Sequence, residues 1–153
     1  MAHPHDPFAP ALHTAHVWLR RITEDLATED RAFAYRLTRA WLHTVRDRLD
    51  VGSAAHVSAQ LPELLRGIFF EGWVPAHVPV AHDPSSFLRQ FGQAAGVSED
   101  EAYGLVWLVS DAMRELLSPG ELEHVCTPFP DALRVLLLGA STGPSGEEPD
   151  DAR

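Results

Sequence analysis

The chain has 153 residues, twelve cations against 22 acids, a net charge of −10 and one cysteine. That length supports one domain with a substantial core, and the charge excludes general binding to nucleic acid, whose phosphates need clustered cations. The lone Cys126 excludes an intrachain disulfide and points to a cytoplasmic protein, and no apolar run approaches the roughly 20 residues that span a bilayer.

Every cation is arginine, and the charge is uneven. Residues 1–73 carry eight arginines against nine acids, and residues 74–153 carry four against thirteen. Residues 1–10 lack the basic start and continuous apolar stretch of a signal peptide and are expected to be disordered.

Residues 12–26 place Leu12, Ala15, Leu19, Ile22 and Leu26 at helical spacing. Residues 29–49 align Phe33, Leu37, Trp41, Val45 and Leu49 on one stripe. A second face of that helix carries Arg36, Arg39, His43 and Arg46. A third helix is expected near 52–60, and a fourth opens at Pro62, where a missing N–H costs nothing.

On that fourth helix Leu61, Leu64, Leu65, Ile68 and Phe69 form the core side, while Glu63, Arg66, Gly67 and Phe70 lie around the far side. A helix apolar on two sides needs a second surface. Phe70 either packs one half of the chain on the other or meets a partner, with Gly67 allowing close approach. Trp73, behind Gly72, is read as a plug over the joint between halves.

Residues 74–84, "VPAHVPVAHDP", read as a proline-spaced extended linker. Asp83 and Pro84 then start a helix through Phe87, Leu88 and Phe91. Ser98 to Glu101 and Ser118 to Glu121 both match the capping box. Residues 141–153 are polar and acidic, and disorder is expected there.

The second half repeats the first. Tyr35, Arg46, Leu49, Gly52, His56, Val57, Pro62, Leu65 and Arg66 recur 68 positions on as Tyr103, Arg114, Leu117, Gly120, His124, Val125, Pro130, Leu133 and Arg134. With a one-residue slip, Trp18-Leu19-Arg20 meets Phe87-Leu88-Arg89. No segment alternates like a strand. The reading is an all-α protein, a tandem duplication of a four-helix unit (11–73 and 85–140) packed into one pseudo-symmetric domain.

"LPELLRGIFFEGW" at 61–73, with "WL" at 18–19 and "HTVRDRL" at 43–49, resembles the bacterial domain-of-unknown-function family 2267. The resemblance covers roughly residues 12–138 and implies a small all-helical protein with no assigned activity. The family's block carries tyrosines where this chain has Phe69 and Phe70, so any role of those hydroxyls is absent here.

Nine histidines raise the question of a metal. His13 and His16 can share a helix face, His3 and His5 precede them, and His77 and His82 sit in the linker. No tight Cys/His or His-Glu-x-x-His pattern occurs, so neither metal nor cofactor is expected. His56 and His124 recur as a pair, which suits a structural duty. Cys126, two residues from His124, points elsewhere on a helix and reads as a buried apolar residue rather than a nucleophile.

With no phosphate loop, nucleophile elbow or paired-carboxylate motif, the chain is expected to be non-enzymatic. The favoured function is a cytoplasmic module that binds a protein partner or forms a homodimer through Arg36, Arg39, His43, Arg46, Gly67 and Phe70, with no nucleic-acid or membrane partner. The alternative is a small apolar ligand held in a cleft near Trp18, Trp41, Phe70 and Trp73.

Overall fold

A computed structural model of the chain describes residues 5–140. These residues form eight α-helices: α1 (Ala9–Asp25), α2 (Arg31–Arg46), α3 (Val51–Gln60), α4 (Glu63–Phe70), α5 (Pro84–Ala95), α6 (Glu99–Leu116), α7 (Glu121–Cys126) and α8 (Asp131–Leu138). A single 3-10 turn, Pro75–His77, lies in the expected linker, and no strand occurs among the described residues. None of these helices is long and apolar enough to cross a membrane. α1 begins at Ala9, inside the segment expected to be disordered; residues 1–4 and the tail 141–153 lie outside the described residues.

Local chemistry sets most of the helix starts. Asp30, Asp50 and Asp83 each accept a hydrogen bond from the backbone N–H three residues on, at 3.0, 2.7 and 2.9 Å. Ser98 and Glu101 form the full capping box. The second expected box does not form. Gly120, at φ 80°, stands at the start of α7 instead and turns the chain where a serine cap would have to sit. Ser118 donates its hydroxyl to Gln60 Oε1 at 3.3 Å, and Glu121 reaches His56 Nε2 at 2.9 Å.

α4 and α8 start alike, from Pro62 at φ −58°, ψ 155° and Pro130 at φ −60°, ψ 155°. The packing is paired in the same way. α1 lies on α2 as α5 lies on α6, α2 on α4 as α6 on α8, and α3 on α4 as α7 on α8. Across the middle, α1 rests on α6 and α5 on α2, while α2 and α6 touch each other.

α2 and α6 therefore run through the core. Leu37, Trp41 and Val45 of α2 and Val106, Val109 and Met113 of α6 are buried there. Trp41 is 2% exposed, and its indole N–H donates to Ser110 Oγ at 2.8 Å across the α2–α6 contact. That bond satisfies the one polar atom of a large buried ring.

Ser110→Ala leaves that indole N–H unpaired in the core. It is expected to lower the unfolding free energy by about 1–3 kcal/mol, read from urea denaturation with an unchanged m-value.

Candidate functional site

Three of the four residues on the polar face of α2 serve the end of α4. The last four carbonyls of a helix have no partner within it, and α4 has only eight residues. Arg46 Nη1 donates to Phe69 O at 2.8 Å and to Glu71 O at 2.7 Å. His43 Nε2 donates to Ile68 O at 2.6 Å. Arg39 grips the Glu71 carboxylate through two bonds of 2.8 and 3.3 Å. Arg36, the fourth, donates to Ala95 O at 2.6 Å, which caps α5 where Gly96 leaves the helix at φ 71°.

This face is thus used inside the molecule, while Arg39 and Glu71 keep 39% and 57% of their side chains exposed. The physical reason is that short helices create carbonyl acceptors close to α2, and guanidinium groups reach them. Phe70 is half-buried, its ring 5.1 Å from both Phe69 and Trp73. Gly67 is exposed, with nothing within 4 Å of where a Cβ would stand. Trp73 packs at the edge of the core, and its Nε1 is buried with no acceptor among the described residues. Trp41 is sealed in the core, and Trp18 is half-buried against it, so the supposed cleft is packed at Trp41.

The next turn of chain builds a second network that the periodicity does not announce. Asp47 accepts from Arg46 Nε through Oδ1 at 2.9 Å and from Gln90 Nε2 through Oδ2 at 2.7 Å. Arg48, 2% exposed, donates to Gln90 Oε1 at 2.7 Å, Thr44 O at 3.0 Å and Ser86 Oγ at 3.3 Å. Its guanidinium lies 5.0 Å from the centre of the Phe87 ring. The linker closes over this corner: Val80 N donates to Asp47 O at 2.8 Å and His82 Nε2 to Arg48 O at 2.9 Å. Burial pulls the Arg48 pKa down, opposed by Asp47 and Asp83; a guanidinium stays charged even so.

In the second half, Arg114 takes the part of Arg46 and donates to Leu138 O at 2.9 Å, while its Nε pairs with Glu123 at 2.8 Å. Where the first half has Arg39 and His43, α6 carries Trp107 and Asp111, and no Glu-Gly-Trp segment follows α8. Trp107 is 49% exposed, at the mouth of a hollow of about 320 Å3 against Arg114, Leu138 and Gly139.

His56 and His124 meet edge to face with ring centres 5.6 Å apart, beside a hollow of about 260 Å3. Cys126 is buried, and burial pushes its thiol up to about 12, so it is no thiolate nucleophile. His77 ends the 3-10 turn, and His82 packs on Phe129 at 5.2 Å. Among the described residues no three His, Cys, Asp or Glu side chains converge as metal ligands.

Arg46→Ala strips two carbonyls of their donor and leaves the Asp47 carboxylate only its bond from Gln90. It is expected to cost about 3 kcal/mol of stability in urea denaturation. His43 gives a pH signature. Burial lowers its pKa, and the neighbouring Arg46 and Arg39 act in the same direction. The unfolded chain therefore takes up a proton before the folded one does. This contribution to stability is complete above the ordinary histidine value of about 6.5 and is lost as pH falls below it. His43→Gln is expected to flatten the decline in stability between about pH 7 and pH 5, measured by chemical denaturation across that range.

No curated protein matches this chain. The family model described as an uncharacterized conserved protein, DUF2267, matches residues 15–136, a span that contains both arginine networks. The chain therefore belongs to the DUF2267 family.

Proposed function

We propose that this chain is a tandem duplication of a four-helix unit, without a catalytic centre, that works in the cytoplasm and forms a homodimer through the outer face of α6. Support for duplication comes from the matched starts of α4 and α8, the paired packing of helices, and the shared duty of Arg46 and Arg114. Support for a cytoplasmic setting is the single buried cysteine.

The observation that carries self-association is a difference between the halves. The first half covers the polar face of α2 with its own Glu71 and packs Phe70 against Trp73. Among the described residues, no counterpart of Glu71 covers the matching face of α6, where Arg114 is held by Leu138 O and Glu123. Tyr103 and Trp107, one turn apart, are 61% and 49% exposed, and Val135 of α8 is 47% exposed. On another side of the same helix a largely apolar hollow of about 460 Å3 is lined by Phe33, Val97, Glu101, Gly104, Leu105 and Leu108. An exposed aromatic pair such as Tyr103 and Trp107 suits an interaction surface, and a two-fold pairing of one helix face is the simplest closed assembly.

The ligand-carrier alternative now rests on that open hollow rather than on Trp18, Trp41, Phe70 and Trp73. It predicts extra mass that travels with the monomer. Sedimentation equilibrium decides. Wild type is expected to dimerise at or below about 100 µM, and Trp107→Glu is expected to stay monomeric with an unchanged helical spectrum. A wild type that remains monomeric at that concentration overturns self-association.

A further inference from the structure

A shallow groove of about 250 Å3 lies between α1 and the start of α2, lined by His13, His16, Leu19, Arg20 and Arg31. Its polar residues are all exposed, with Leu19 half-buried beneath them. The other described arginines each give their guanidinium to a carboxylate, a carbonyl or a side-chain acceptor inside the domain. Arg20 and Arg31 have no such acceptor among the described residues, and both point to this one groove. Glu24 and Glu29, nearby in sequence, pair with neither, and the Asp30 carboxylate is engaged by the N–H of Phe33.

The rest of the chain is strongly acidic, so this groove is where an anionic segment meets attraction rather than repulsion. One such segment follows α8: Glu147, Glu148, Asp150 and Asp151 lie within five consecutive residues. We propose that the groove of His13, His16, Arg20 and Arg31 is a binding site for an acidic peptide segment, and that its occupant is the stretch 147–151 of the same chain.

Arg114 holds Leu138 O at the end of α8, and its neighbour Glu115 pairs with Arg21 of α1. Two consecutive residues of α6 thus connect the exit of α8 to the residue beside Arg20. From Ala140 the acids begin seven residues on and end eleven residues on, a span of at most about 24–37 Å. Tethering supplies an effective concentration near the millimolar range, enough for a site built only of exposed charges. Such a site is screened by salt. The inference does not depend on α6 self-association, since the groove lies on α1 and α2.

Paramagnetic broadening in the full-length protein tests it. A spin label on Ser145→Cys is selective because Cys126 is buried and its thiol is pushed up to about 12. At low salt the ring-proton signals of His13 and His16 are expected to lose more than half their intensity. They are expected to recover on reduction of the label, in about 0.5 M NaCl, in Arg20→Glu/Arg31→Glu, and in Glu147→Gln/Glu148→Gln/Asp150→Asn/Asp151→Asn. The last variant leaves the helical domain untouched, so recovery there is free of folding effects. Absence of broadening at low salt, or broadening that survives both sets of variants, overturns the proposal. Broadening found only between labelled and unlabelled chains in a mixture overturns the placement within one chain.

Discussion

An eight-residue helix leaves as many carbonyls unpaired at its end as it pairs inside. α4 and α8 are both that short, and each ends against a long core helix. This constraint organises the molecule. Arg46 answers it for α4 and Arg114 for α8, and Arg36 does the same for α5. Arginine suits the task because its planar fork can meet two acceptors at once and its charge persists when buried. Arg46 uses that fork fully, joining two carbonyls of one segment to the Asp47 carboxylate.

Much of the architecture was legible in the sequence because it is written locally. Asp83 and the Ser98–Glu101 pair sit where caps must sit, and each one caps. The apolar stripe of Phe33, Leu37, Trp41 and Val45 gave the buried side of α2 correctly, with Phe33 at its partly exposed edge. The failure at Ser118 is equally local. A glycine at position 120 adopts a left-handed turn more readily than a serine two residues earlier can define a cap.

The site was less legible because its partners are distant in sequence. Arg48 and Gln90 are 42 residues apart, and Arg36 and Ala95 are 59 apart. Periodicity reports which side of a helix a residue occupies but not whether a neighbour's carbonyl awaits it there. The basic stripe of α2 therefore looked like a surface. The signal that was available lay in "HTVRDRL" itself. Three charges follow one another at the end of an apolar stripe, where Arg46 and Arg48 flank Asp47, and such a run beside the core needs internal acceptors.

The burial of Arg48 also bears on how the molecule comes apart. Its acceptors Ser86 and Gln90 belong to α5, while Thr44 belongs to α2, which ends just before Arg48, and the linker seals the corner through Val80 and His82. Lifting α5 away would uncover a cation and at the same moment strip α2 of one flank of its core. Neither set of four helices holds its fold as a separable lobe, because α2 and α6 are each flanked by helices from both sets. A core shared in this way is expected to melt in one step, and a cut in the linker to yield two incomplete fragments rather than two small proteins.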